Sequence, residues 1–394
     1  MAGASALSDL KVLEYGDMVP GAYCARLLAD AGADVVKVEP PEGDGSRWRG
    51  PFPDGVEDPD WSGLYLYLNA NKRGISLDLA QRSEAALFHE LLAQADVLVL
   101  DQPPAVIERL GLRWADLKGS NPRLVVTAIT PFGLTGPYRD YAGDDLIAVS
   151  AGGLAYATPG IPDMVHDPEK EPPLRANTFL GDFLAGIQGA VASMVAVLCR
   201  GLTGEGCEVD VSRQEAVVMV IPYELAHASH HEPKKREPII FGAMPNAYLP
   251  CKDGYVVIMA AMDPHWLALM ELTGNRNWGH MEMFASAQER ARNWDVLEPL
   301  LLEWTMSHTG AEITELAQSQ GVPCFPAYSV GEMVDSEHVA ARGFMWDLEG
   351  PGGQNFQLPG YPVRMEATPW RLRRPAPRLG EHNAQVIGEW LEGK

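Results

Sequence analysis

The first forty residues constrain the fold most. Residues 10–15, Leu-Lys-Val-Leu-Glu-Tyr, read as a short buried strand, and residues 16–21 as a turn. Residues 22–31 have helical periodicity that ends at Gly32, and residues 34–39, Asp-Val-Val-Lys-Val-Glu, form a second strand before Pro40-Pro41 breaks the pattern. This is a β-α-β unit, the start of a doubly wound parallel sheet. A helix at 82–95, strands at 96–101 and 124–130, a strand at 207–212 and helical residues up to about 227 continue the alternation. The predicted class is therefore α/β. No GxGxxG follows the first strand, so the usual dinucleotide fingerprint is absent and a nicotinamide enzyme is disfavoured.

One later stretch stands apart. From 174 to 198 the chain is apolar and rich in small residues, with Ala185, Gly186, Gly189, Ala190 and Ala192 leaving room for a close backbone or ligand. A single carboxylate, Asp182, heads it, and the next ionisable side chain is Arg200. Asp182 reads as an N-cap or first-turn residue, favoured by the helix dipole. It also reads as a carboxylate nucleophile kept ionised by the helix end. The two readings are compatible. The apolar run at 183–198 falls short of a membrane span, and a buried helix explains it.

The chain has 394 residues, enough for two domains, and a net charge of −22, which argues against nucleic acid and anionic membrane partners. Five scattered cysteines without CxxC spacing, and an N-terminus without a basic and then apolar leader pattern, point to reduced thiols in the cytoplasm. A His-rich stretch holds His227, His230 and His231 but lacks a completing Cys or acid for a recognisable metal set. It reads as a linker. Residues 247–259 form a hairpin turning through Lys252-Asp253-Gly254, followed by helices at 263–273, 287–305 and 309–319. The expected organisation is a large domain over 1–226, a small α+β domain over 227–325, and a return to the large domain over 326–394.

Four blocks in order carry a resemblance: residues 10–39; residues 69–78, Asn-Ala-Asn-Lys-Arg-Gly-Ile-Ser-Leu-Asp; residues 96–111 with 129–137; and Gly181-Asp182 followed by Gly204-Glu-Gly206. In these the chain resembles the family III CoA-transferases, the formyl-CoA and carnitine CoA-transferase group, from about residue 8 to about 390. The resemblance implies an enzyme that moves CoA from an acyl-CoA to a carboxylic acid, with Asp182 as nucleophile. It implies a mixed anhydride and then an aspartyl-CoA thioester, with no metal and no permanently bound cofactor; CoA and acyl-CoA are substrates. It places Met18, Val19 and Pro20 along the CoA, with Leu68, Asn69, Asn71, Lys72, Asp101, Arg109, Tyr138 and Arg139 as further contacts. Lys72, Arg109 and Arg139 would hold the phosphates, supported by Asn69 and Asn71. It also implies a large domain built from both chain ends and an interlocked homodimer, or a heteromer with a paralogous subunit.

Three positions depart from the formyl-CoA transferase pattern. Val19 replaces a polar residue, Pro40 a CoA-contacting arginine and Asp101 an asparagine, which counts against formyl and oxalate substrates. Two alternatives remain open. The racemase branch of the same family uses a histidine in a Gly-His-Asp block, where this chain has Gly143-Asp144-Asp145, so its second base is not obvious. A catalytically silent CoA-binding subunit of a heteromeric transferase is the other.

Overall fold

The computed structural model describes residues 5–158, 172–230, 243–349 and 355–393. They divide into two compact units: Met1–Ala155, Arg175–Pro222 and Arg342–Lys394 form one, and Tyr156–Leu174 with Tyr223–Ala341 the other.

In the large unit the chain runs β1 (Lys11–Tyr15), α1 (Pro20–Asp30), β2 (Asp34–Glu39), α2 (Gly63–Asn69), β3 (Arg73–Ser76), α3 (Arg82–Leu92), β4 (Val97–Leu100), α4 (Pro104–Arg109) and β5 (Val125–Thr130). Next come α5 (Asp145–Ala151), α6 (Leu180–Thr203), β6 (Glu208–Ser212) and α7 (Arg213–Val218). The six strands form one parallel sheet in the order β3-β2-β1-β4-β5-β6. β4 and β5 are buried along their whole length. Val and Leu throughout β4, and Val, Ala and Ile with only Thr127 and Thr130 between them in β5, suit central parallel strands covered on both faces. The order reverses between β1 and β4, and a doubly wound sheet opens a crevice at the carboxyl ends of its strands at such a point.

α6 covers one face of this sheet. Gly181, Ala185, Gly186, Gly189, Ala190, Ser193 and Ala196 lie on its buried side. A methyl group at Gly186 would lie 2.9 Å from the Pro20 carbonyl, and one at Gly189 would lie 2.8 Å from Ile129 Cδ1. The small residues are thus what lets α6 lie against α1 and β5. The expectation that this segment falls short of a bilayer needs correction. The helix extends beyond the apolar run to 24 residues and is long and apolar enough to cross a membrane by length and composition.

Both chain ends build the large unit. Asn71, with φ 66°, donates to the Asp30 carboxylate and the Arg371 carbonyl and accepts the Arg373 N–H. Trp390 Nε1 donates to Asp34 Oδ2 at 2.9 Å, and Val386 and Trp390 join the core beside Leu13, Val36 and Phe88.

The small unit carries the expected hairpin, β7 (Asn246–Cys251) against β8 (Gly254–Met259). A third strand, β9 (Cys324–Pro326), pairs antiparallel with β8. Since β9 belongs to this sheet, the unit runs past residue 325 and ends at Ala341. The helix expected over 287–305 is two, Ala287–Arg292 and Trp294–Thr305, broken at Asn293, whose φ of −109° and ψ of 28° are not helical.

Candidate active site

The switch point between β1 and β4 is occupied by a carboxylate of the protein itself. Asp101, just beyond β4, accepts the Asp17 N–H at 2.7 Å and the Gly21 N–H at 2.9 Å. It thereby fills the N-terminus of α1, where nucleotide-binding sheets of this type seat a phosphate. A Cβ at Gly16 would lie 2.5 Å from Asp101 Oδ1, so the turn requires glycine there. Burial pushes the Asp101 carboxyl up to about 7, against the pull of Arg213 and the two N–H donors. As placed, Asp101 braces the 16–21 turn, with both carboxyl oxygens accepting its N–H groups.

That turn supplies one wall of an apolar cluster. Met18, with φ 62°, and Val19 pack with Ala22, Leu68, Tyr67, Phe179 and Phe183. Phe179 is the N-cap of α6 and Phe183 lies in its first turn, so the cluster adjoins the start of that helix. Met18, Val19 and Leu68 are therefore brought together in one cluster, and Pro20 opens α1.

Asp182 is the third residue of α6, 5 % exposed, so it occupies the first turn and not the N-cap. Its N–H donates to Asp145 Oδ1 at 3.1 Å, and its Oδ1 lies 3.2 Å from Arg213 Nη1. Burial pushes its carboxyl up to about 6; Arg213 pulls it down, while Asp145 and Asp144 raise it further. A carboxylate so placed is ionised at neutral pH and shielded from water. These are the conditions for a nucleophile.

Arg213 and Asp145 were not anticipated as site residues. Arg213 opens α7 directly after β6, with Ser212 capping that helix. Parallel pairing carries it to the same sheet edge as Asp101.

The remaining expected contacts divide. Lys72 is corrected: it is fully buried, and its ammonium donates to Glu14 Oε2 at 2.7 Å, the Ala22 carbonyl at 2.8 Å and Asn69 Oδ1 at 2.9 Å. All three of its donors are thus spent inside the protein. Asn69 donates to the Tyr65 carbonyl and Asn71 fixes the C-terminal segment, so both are structural here. Arg109, by contrast, is exposed at the end of α4, with no acidic partner among the described residues. Arg139 is half-buried and bonded to Glu108, next to Arg109, and the Tyr138 ring stacks on Tyr141 at 4.9 Å. A cavity of about 500 Å³ lined by Phe344, Tyr361, Arg364 and Trp370 shares no residue with the Asp182 cluster. Of the His-rich stretch, His230 is exposed, while His231 and the His227 side chain lie outside the described residues.

A family model described as CoA-transferase family III matches residues 7–383. The chain belongs to that family. It is an enzyme that transfers CoA between carboxylic acids, with CoA thioesters as substrates. It is 31 % identical over 395 residues to the succinyl-CoA–D-citramalate CoA-transferase of Chloroflexus aurantiacus, covering 98 % of this chain and 94 % of the relative. It is 30 % identical over 390 residues to the alpha subunit of the succinyl-CoA–L-malate CoA-transferase of the same organism, covering 98 % and 89 %. Among solved structures it resembles a CaiB/BaiF family protein from Brucella suis with a TM-score of 0.84 and 27 % identity, over 97 % of this chain and 98 % of the other.

Proposed function

We propose that this CoA-transferase works through covalent catalysis by Asp182, with succinyl-CoA or a similar short dicarboxylyl-CoA as donor. The observation that carries the mechanism is the buried Asp182 carboxylate in the first turn of α6, ion-paired to Arg213 and next in the chain to Phe183 of the Met18–Val19 cluster. An Asp182 oxygen attacks the thioester carbonyl, the C–S bond breaks and CoA thiolate leaves, giving a mixed anhydride. The thiolate then attacks Asp182 Cγ; the anhydride C–O bond breaks, releasing the first acid and leaving an aspartyl-CoA thioester. The acceptor carboxylate repeats both steps in reverse. The choice of donor rests on the names of the two Chloroflexus relatives, and the acceptor is a carboxylic acid of the same size class.

The working form is a dimer. Ile187, Val191, Val195, Leu198 and Leu202 lie on one face of α6, with exposure rising from 39 % to 91 %. An apolar stripe of this kind marks an interface. A second copy of this chain covers it in the interlocked arrangement that the resemblance implies; a paralogous subunit is the other candidate, favoured by the subunit naming of the malate enzyme. CoA phosphates are held by Arg109, the one of the three expected phosphate cations with no acidic partner among the described residues.

The test is a product screen. The purified protein is incubated above pH 7 with succinyl-CoA or acetyl-CoA and a panel of mono- and dicarboxylic acids, and new acyl-CoA esters are identified by mass. A new ester from succinyl-CoA and a four- or five-carbon dicarboxylate is expected. Turnover with acetyl-CoA alone overturns the donor assignment.

A further inference from the structure

Arg213 is the cation that the ordinary account of Asp182 leaves unused. Its Nη1 is 3.2 Å from Asp182 Oδ1, with the two side chains only 10 % and 7 % exposed. The pair is incompletely bonded: Arg213 Nε and Asp182 Oδ1 are both buried without a hydrogen-bond partner among the described residues. The other buried cations described in this unit are committed elsewhere, Lys37 and Lys72 to Glu14, Arg26 to Asp30, Arg47 to Glu39, Arg73 to Asp34 and Arg200 to Asp96. Arg213 therefore has donor capacity to spare, beside the atom that reacts.

The chemistry makes this arrangement consequential. While Asp182 is a carboxylate it neutralises Arg213. Once CoA thiolate has attacked Cγ and the first acid has departed with one of the carboxyl oxygens, Asp182 is a neutral thioester. Arg213 is then a buried cation with no counter-ion at this position, an unfavourable state. Asp144, Asp145 and Asp101 lie nearby, but they repel an incoming anion. A local positive charge must overcome that field for a carboxylate to enter.

We propose that Arg213 binds the reacting carboxylate of the acceptor acid, which replaces Asp182 as its counter-ion while Asp182 carries CoA. This rests on the Asp182 reading above. One acceptor oxygen sits on the guanidinium and the other attacks Asp182 Cγ. A C–O bond forms, the C–S bond breaks and CoA leaves as thiolate. The thiolate then attacks the acceptor carbonyl, the anhydride C–O bond breaks, and its electron pair returns to the Asp182 carboxylate, which pairs with Arg213 again. Arg213 thus faces one carboxylate before the reaction, again once the acceptor is bound, and after it, and holds the acceptor at attack distance.

The test separates the two halves of the reaction, using the full chain with Arg213→Gln and Arg213→Lys at pH 8, well above the value of about 6 for the wild-type Asp182 carboxyl. The donor half is the burst of succinate released from succinyl-CoA alone, with the adduct weighed by mass spectrometry. The acceptor half is the KM for the carboxylic acid. Arg213→Gln should keep the burst and raise the acceptor KM about 10- to 100-fold, and Arg213→Lys should recover much of the loss. An unchanged acceptor KM overturns the proposal. So does equal loss in both halves, which marks a residue that only positions Asp182. If Arg213→Gln does not fold, Arg213→Lys decides alone: a raised acceptor KM with an intact burst is expected, and a wild-type KM overturns it. A wild-type enzyme that shows no burst overturns the Asp182 reading itself, an outcome distinct from the others.

Discussion

Lys72 offers a quantitative check on how the large unit is held together. Replacing it with Met keeps the aliphatic stem and deletes the ammonium. Three bonds of 2.7, 2.8 and 2.9 Å are lost, to Glu14, Ala22 and Asn69. Glu14 keeps Lys37 at 2.7 Å, so it is weakened and not stranded. The Ala22 carbonyl loses its side-chain donor and Asn69 Oδ1 is left without a partner, each worth about 1–3 kcal/mol when buried. Removing one member of a buried ion pair costs about 3–5 kcal/mol. Such terms overlap within one network, so the expected loss is about 3–5 kcal/mol in total. Urea unfolding followed by far-UV circular dichroism measures it, with CoA titrated into the folded variant alongside. A surface cation serving CoA phosphates predicts the reverse: stability within about 0.5 kcal/mol of wild type and a clear loss of CoA affinity. That pair of results would refute the structural role given to Lys72.

Three further outcomes follow from particular groups. The folded Asp101 carboxyl is pushed up to about 7 from its ordinary 3.8, so between those values the folded chain holds a proton that the unfolded chain releases. Its contribution to stability therefore falls as pH rises from about 4 to 7, and stability of Asp101→Asn should decline less across that range than that of wild type, Asp182 keeping its own smaller share. Introducing Lys at both Val195 and Leu198 should leave the fold intact and split the proposed dimer, seen as a halved mass in analytical ultracentrifugation; a dimeric mass in the variant contradicts the proposed α6 interface. Arg109→Ala should weaken CoA binding by about 1.5–3 kcal/mol, with a smaller salt dependence than wild type, and equal affinities at low and high salt remove Arg109 from the site.

The alternation of strand and helix was legible because central parallel strands are mostly apolar, as Val97–Leu100 and, apart from its two threonines, Val125–Thr130 are. Asp182 was legible because it is the single charge in a run of small residues whose glycines have a packing reason. Arg213 was not. It follows Ser212 and precedes Glu215, where a cap at the start of a helix is all that local sequence conveys. Its approach to Asp182 arises only when β6 pairs beside β5. Lys72 was misread for a related reason: sequence gives its charge but not its burial, and its partner Glu14 lies 58 residues away. The same holds for the buried charges on β1 and β2, where Lys37 bridges Glu14 and Asp44 at 2.7 Å each. The reach of the small unit past residue 325 was hidden because β9 is three residues long and gains its identity from pairing with β8.

The most direct test of the account is the covalent state of Asp182. The wild-type protein is mixed with succinyl-CoA in the absence of any acceptor, quenched, digested and analysed by mass spectrometry, with hydroxylamine added to a parallel sample. The account predicts a CoA adduct confined to the peptide containing Asp182, converted to a hydroxamate by hydroxylamine, dispersed by added dicarboxylate and absent from Asp182→Asn. Full CoA exchange between succinyl-CoA and an acid by the Asp182→Asn variant would contradict it.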